Sequence, residues 1–198
     1  MWKNTFSLAV VFILIVLVFV MNFTPIGEKQ AEPNIIDVSG DTSVDGVAIT
    51  APNVKQLQEG EIAPNFILST LNGKKIEALN QSQEYIFLNF WATWCPPCVE
   101  EMPNLQTFQD NHPERVKILA VNVTETEPTI KKIRTFVDNG SFTFTILLDK
   151  DNTIYERYSI INMPTSFMIR TSDKKVMKRI NGAVTLEQME QLLKEFNS

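Results

Sequence analysis

The chain has 198 residues, enough for one domain of ordinary size plus appendages. Its apolar, charged and aromatic fractions are those of a globular protein, which sets aside disordered and collagen-like classes. The formal net charge of -5 is mild, and no basic patch or aromatic-interleaved basic run points to nucleic acid.

The charge is unevenly spread. Residues 28–59 hold six acids and two lysines, whereas the 17 acids and 15 bases from Gly60 onward nearly balance. Between Lys3 and Glu28 there is no charged side chain, and residues 6–23 are apolar except for Ser7 and Asn22. A hydrocarbon core about 30 Å thick needs roughly 20 such residues, so this run is predicted to span a membrane. The alternative is a cleaved signal peptide, but the apolar run is long for one and nothing like Ala-x-Ala follows it. No cysteine lies near it, so a lipid-modified anchor is excluded. The expected organisation is an uncleaved membrane anchor over 1–27, an acidic flexible stalk over 28–59, and a folded domain over 60–198. Lys3 and the amino terminus mark the cytoplasmic side, which places the domain outside the cytoplasm in a single-pass arrangement. Within the stalk, residues 44–49 have the composition of a short strand.

The domain alternates strand and helix patterns. Residues 66–69 and 75–78 are short strands around the turn Asn72-Gly73. Residues 85–90 form a nearly continuous apolar run, as in a strand covered on both faces. Residues 99–111 have helical character, with Pro103 expected to kink the helix or reset its start. Residues 116–123 read as a second buried strand, and 128–139 as a helix with Pro128 in its first turn and Gly140 past its end. A strand at 145–148, a short helix at 152–158 and a hairpin of 165–170 with 176–180 around Ser172-Asp173 follow. Thr185 and Gln188 make a capping box ahead of a helix whose apolar face is Leu186, Met189, Leu192, Leu193 and Phe196. This order predicts a three-layer α/β sandwich around a mixed central sheet.

The two cysteines of the chain form one Cys-x-x-Cys, in the string Asn89-Phe90-Trp91-Ala92-Thr93-Trp94-Cys95-Pro96-Pro97-Cys98. A structural zinc site needs two more ligands, and His112 is the sole histidine, so a Cys2His2 site is excluded. A structural disulfide closing so small a loop would constrain the unfolded chain little. The helix is predicted to begin at or just after Cys95, where free amides and the macrodipole stabilise a thiolate. Two prolines in its first turn cost little and leave no histidine between the cysteines. Cys95 is therefore the expected nucleophile and Cys98, one turn behind, the resolving cysteine of a redox-active disulfide.

These motifs carry a resemblance. Ala63-Pro64-Asn65-Phe66, Asn72-Gly73-Lys74, the string from Asn89 to Cys98, Glu101-Met102-Pro103 and Met163-Pro164-Thr165-Ser166-Phe167 occur in this order in the TlpA/ResA-like branch of thioredoxin-fold proteins. That branch includes StoA and CcmG/DsbE, and the resemblance runs from Gly60 to the C-terminus. It implies a thioredoxin-like fold, a thiol–disulfide oxidoreductase without a cofactor or metal, and an active-site glutamate at Glu101. On the residues alone Glu101 would be a solvated helix glutamate like Glu100; if buried, its carboxyl would titrate high enough to exchange protons with the thiols. The resemblance further implies a cis-proline at Pro164 and a substrate groove formed with Met163, Thr165, Trp94, Pro96 and Pro97, although a trans bond is the base expectation for Met-Pro. Asn89 stands where thioredoxin has a buried aspartate, which leaves proton handling to Glu101. Trp91 is read as packing and His112 as a surface residue. Thr145 stands where relatives often have proline, and Asn152 where some carry a turn glycine.

By resemblance, the leading function is reduction of specific protein disulfides outside the cytoplasm. Electrons would come from a membrane-embedded thiol donor of the CcdA/DsbD type. Implied substrates are apocytochrome c, or proteins of cell-envelope or spore assembly. A disulfide-introducing oxidase is the alternative, though Pro96-Pro97 lacks the histidine that supports such oxidants. A peroxidase is disfavoured because Thr93 lies two residues before Cys95 and the Pro-x-x-x-Thr-x-x-Cys pattern is absent. An inert tethered binding module is the non-enzymatic reading.

Overall fold

The apolar run ahead of the cysteines forms the middle of a sheet. In the computed structural model, which describes residues 56–196, strand β3 (Tyr85–Trp91) is buried at every position. It lies parallel to β4 (Val116–Val123) and antiparallel to β6 (Thr165–Arg170). With β1 (Ile67–Thr70), β2 (Lys75–Glu77), β5 (Thr145–Asp149) and β7 (Val176–Asn181), the order is β2-β1-β5-β4-β3-β6-β7. Parallel neighbours need crossovers, supplied by α1 (Pro96–Asn111) between β3 and β4 and α2 (Ile130–Asn139) between β4 and β5. The remaining pairings are antiparallel, so the sheet is mixed as expected. The predicted membrane run at 6–23, the stalk up to residue 55 and the strand candidate at 44–49 lie outside the described residues. Among the described residues no helix is long and apolar enough to cross a membrane.

Alternation along the strands divides the core in two. Phe87, Ile118, Ile146 and Met168 face one side and pack with Met102, Leu105 and Phe108 of α1, Ile133 and Val137 of α2, and Met189 and Leu193 of α4 (Leu186–Glu195). Ile86, Leu88, Phe90, Val121 and Phe167 face the other and meet Phe66, Leu79, Tyr158 and Ile154 of α3 (Thr153–Arg157). Each such side chain contributes roughly 1.5–3 kcal/mol of burial. Tyr158 also donates its hydroxyl to the Pro64 carbonyl at 2.8 Å, holding the segment before β1 against this layer.

Several boundaries differ from the sequence reading, each for a local reason. Helix α1 does not restart at Pro103; it runs through from Pro96, and the Thr107 hydroxyl donates to the Pro103 carbonyl at 3.0 Å. Helix α2 starts at Ile130, not Pro128, because Thr129 is the N-cap and accepts the Lys132 N–H at 3.2 Å. Asn152 lies outside α3 in the left-handed region (φ 57°), a conformation that glycine and asparagine adopt most readily. Its side chain does not cap α3; the buried Asp149 carboxylate does, accepting from the amides of Ile154 (3.1 Å) and Tyr155 (2.8 Å). The capping box of α4 is present in both halves, with Gln188 N–H on Thr185 Oγ1 (3.2 Å) and Thr185 N–H on Gln188 Oε1 (2.8 Å).

Candidate active site

Strand β3 ends at Trp91, and the chain turns once before Cys95, which is the N-cap of α1 with extended backbone. Pro96 and Pro97 occupy the first helical positions, so neither misses an intrahelical bond there. The first helical hydrogen bond closes from Val99 N–H to the Cys95 carbonyl at 3.1 Å. Cys95 and Cys98 are disulfide-bonded with Cα atoms 5.3 Å apart. Cys98 is fully buried, whereas Cys95 retains 4% of its surface and is flanked by exposed Trp94, Pro96 and Pro97. Access alone therefore ranks Cys95 as the sulfur an incoming disulfide meets first.

The loop ahead of Cys95 is held by residues that the sequence reading did not single out. Glu127, after β4, accepts the Thr93 N–H on Oε1 at 2.6 Å and the Thr93 hydroxyl on Oε2. Asn122 Nδ2 donates to the same Oε1 at 2.9 Å. Trp94, about half exposed, donates its indole N–H to Thr126 Oγ1 at 3.0 Å. The only local signal was the polar string Asn122-Val123-Thr124-Glu125-Thr126-Glu127 at the carboxyl end of a buried parallel strand, where open α/β sheets place their sites.

Glu101 sits one turn beyond Cys98 and is 1% exposed, while Glu100 beside it is solvated. Its Oε1 accepts from Asn89 Nδ2 at 2.6 Å and its Oε2 from the Val184 N–H at 3.0 Å. Burial pushes its carboxyl up to about 7, against the opposing pull of those two donors. Asn89, fully buried on β3, also donates to Ser166 Oγ at 3.0 Å across the β3–β6 pairing.

The same pairing brings the proline loop alongside. Phe90 lies opposite Thr165, so Met163 and Pro164 come to the end of β3 where the cysteine loop starts. The Met163–Pro164 bond is cis, as the resemblance implies. Met163 is half-buried against the cluster that contains both cysteines. Thr165 is fully buried, with its hydroxyl on the Asn162 carbonyl at 2.8 Å, so toward a groove it can present only backbone. Trp91 is fully buried against Phe136, a packing role. His112 caps the opposite end of the 16-residue α1, about 24 Å away along the helix, and contacts Glu190 Oε2 at 2.8 Å.

A Cys-Pro-Pro-Cys disulfide at a helix N-terminus, a buried carboxyl one turn on and an adjacent cis-proline define a thiol–disulfide oxidoreductase on a thioredoxin-like fold. The chain belongs to the AhpC/TSA family, which it matches over residues 60–178, and within it to the ResA-like oxidoreductases. It is 39% identical to thiol-disulfide oxidoreductase ResA of Bacillus thuringiensis over 142 residues, 71% of this chain and 80% of the relative. Sporulation thiol-disulfide oxidoreductase A of Bacillus subtilis is 33% identical over 153 residues, 76% of this chain and 92% of the relative. The crystal structure of StoA from Bacillus subtilis matches with a TM-score of 0.59 at 34% identity, covering 66% of this chain and 96% of that one.

Proposed function

We propose that this oxidoreductase works as a reductase of specific protein disulfides outside the cytoplasm, tethered by the apolar run at residues 6–23. The observation that carries the reading is Glu101: a buried carboxyl poised near neutrality one turn behind Cys98 can take up and return a thiol proton. In the forward half-reaction the Cys95 thiolate attacks one sulfur of the substrate disulfide. A Cys95–substrate bond forms, and the second substrate sulfur leaves as a thiolate that takes a proton. Cys98 then gives its proton to Glu101 and attacks the Cys95 sulfur, releasing the first substrate sulfur. Two electrons have passed to the substrate, and the Cys95–Cys98 disulfide remains. A membrane-embedded thiol carrier of the CcdA/DsbD type would return the pair to the dithiol. Trp94, Pro96, Pro97, Met163, Pro164 and the Thr165 backbone would form the groove for the substrate chain. The substrate class is a disulfide-containing envelope protein, such as apocytochrome c; the sporulation oxidoreductase among the relatives also supports a spore-assembly protein.

The reduction potential of the Cys95–Cys98 pair, measured on the full chain against glutathione or dithiothreitol, tests the direction of electron flow. A reductase should lie near the thioredoxin end of the scale, about -270 mV or somewhat higher. A value near about -120 mV would make the protein a disulfide-introducing oxidant instead.

A further inference from the structure

The amide of Asn89 is used on one side only. Its Nδ2 donates to both Glu101 Oε1 (2.6 Å) and Ser166 Oγ (3.0 Å), while its Oδ1 is buried without a hydrogen-bond partner. A buried amide oxygen left unpaired is costly and calls for an explanation. The orientation present suits an ionised Glu101, which can only accept. Once Glu101 carries a proton on Oε1, that atom becomes a donor facing another donor. A half-turn of the amide removes the conflict, because Oδ1 then accepts the Glu101 O–H. Ser166 can follow, since a hydroxyl both donates and accepts. One amide atom is unpartnered in either orientation, so the proton on Glu101 decides between them.

We infer that Asn89 is a positioning residue for the exchange reaction, its amide turning over as Glu101 gains or loses its proton and thereby holding that carboxyl in the range where it can serve Cys98. The inference rests on the reading of Glu101 as the proton acceptor given above. The surroundings leave this assignment to Asn89. On its own helix Glu101 follows Cys98 by three residues; β3 presents Asn89, β6 presents Ser166 to that amide, and the segment before α4 presents the Val184 N–H. No charged side chain is among the causes that move its titration. The charge-assisted bond to the anion is stronger than the neutral bond to the acid, so removing the amide raises the proton affinity of Glu101.

The test is an NMR titration of the reduced full chain in mild detergent between pH 5.5 and 8.5, with Glu side-chain carboxyl carbons and Asn side-chain amides labelled. Expected is a Glu101 midpoint near pH 7, an Asn89 amide signal that follows the same curve, and a midpoint in Asn89→Leu raised by about five- to tenfold in proton affinity. Asn89→Asp should raise it further, because two carboxyls in contact share one proton. Asn89 signals that stay flat through the Glu101 transition, or an unmoved midpoint in Asn89→Leu, would overturn the inference and leave the role of Glu101 standing. A wild-type Glu101 that stays ionised throughout would overturn both. The wild-type titration decides the matter even if a variant fails to fold.

Discussion

Glu101 and Glu100 are adjacent, identical in type and opposite in circumstance. The helix turns one into solvent and the other under the sheet end, where it accepts from Asn89 Nδ2 and the Val184 N–H. Nothing in the residue types separates the two; the resemblance picked Glu101, and burial now gives a physical reason for the choice. Because its folded-state carboxyl titrates near 7 rather than 4.5, the native state keeps a proton that the unfolded chain has already lost. Stability is therefore expected to fall as pH rises from about 4.5 to about 7, by on the order of 3 kcal/mol, and to level off above that. Glu101→Gln should remove that slope and raise stability at pH 8, seen by urea denaturation across pH. The same variant should slow exchange with a model disulfide by about tenfold or more at neutral pH, since the proton acceptor is gone. A variant that kept the wild-type stability slope would show that another group carries it. Cys95 and Cys98 were legible from their spacing together with the apolar strand before them, the helix start and the flanking tryptophans. His112 was legible only as peripheral, and its contact with Glu190 joins residues 78 apart in sequence.

Among the elements, α1 is built to present its N-cap. The N-cap position, the two prolines and the short loop from β3 leave Cys95 with a small exposed edge and Cys98 fully buried behind it. That geometry depends on Glu127, whose carboxylate collects Thr93 and Asn122 across 34 and 5 residues of chain. Replacing it with alanine strands the Thr93 N–H and the Asn122 amide, at about 1–3 kcal/mol. Glu127→Ala should therefore exchange the Thr93 amide hydrogen faster and lower the denaturation midpoint; protection equal to wild type would show that the loop is held elsewhere. Local signals gave the strands, the capping box and the hairpin because each is written within a few residues. The start of α2 was placed too early because Pro128 and Thr129 both suit a helix entrance, and the threonine took the cap. Contacts such as Glu127 to Thr93 leave no periodic trace and had to be seen in three dimensions.

Across the molecule, β3 does two jobs. Its alternate residues are the centre of both core layers, and its carboxyl end feeds the cysteine loop while β6 brings the cis-proline beside it. A fully buried central strand gives the site a rigid base, as positioning of reacting sulfurs requires. Where the chain leaves the segment proposed as a stalk, Arg179 Nη1 donates to the Leu57 carbonyl at 3.1 Å while its guanidinium lies over Phe167. The entry of the chain is thus fastened to the sheet. The α/β layering was legible from element order, and the two-sided core from the apolar runs at 85–90 and 116–123.

The account stands on Cys95 attacking and Cys98 resolving, and one mass measurement tests it. Reduced Cys98→Ser and Cys95→Ser proteins are each exposed briefly to oxidised glutathione, quenched with acid and weighed intact. The expected result is a single glutathione adduct that forms quickly and persists on Cys98→Ser, with Cys95→Ser unmodified over the same interval. A faster or equal adduct on Cys95→Ser would contradict the account, because the buried sulfur would then be the nucleophile.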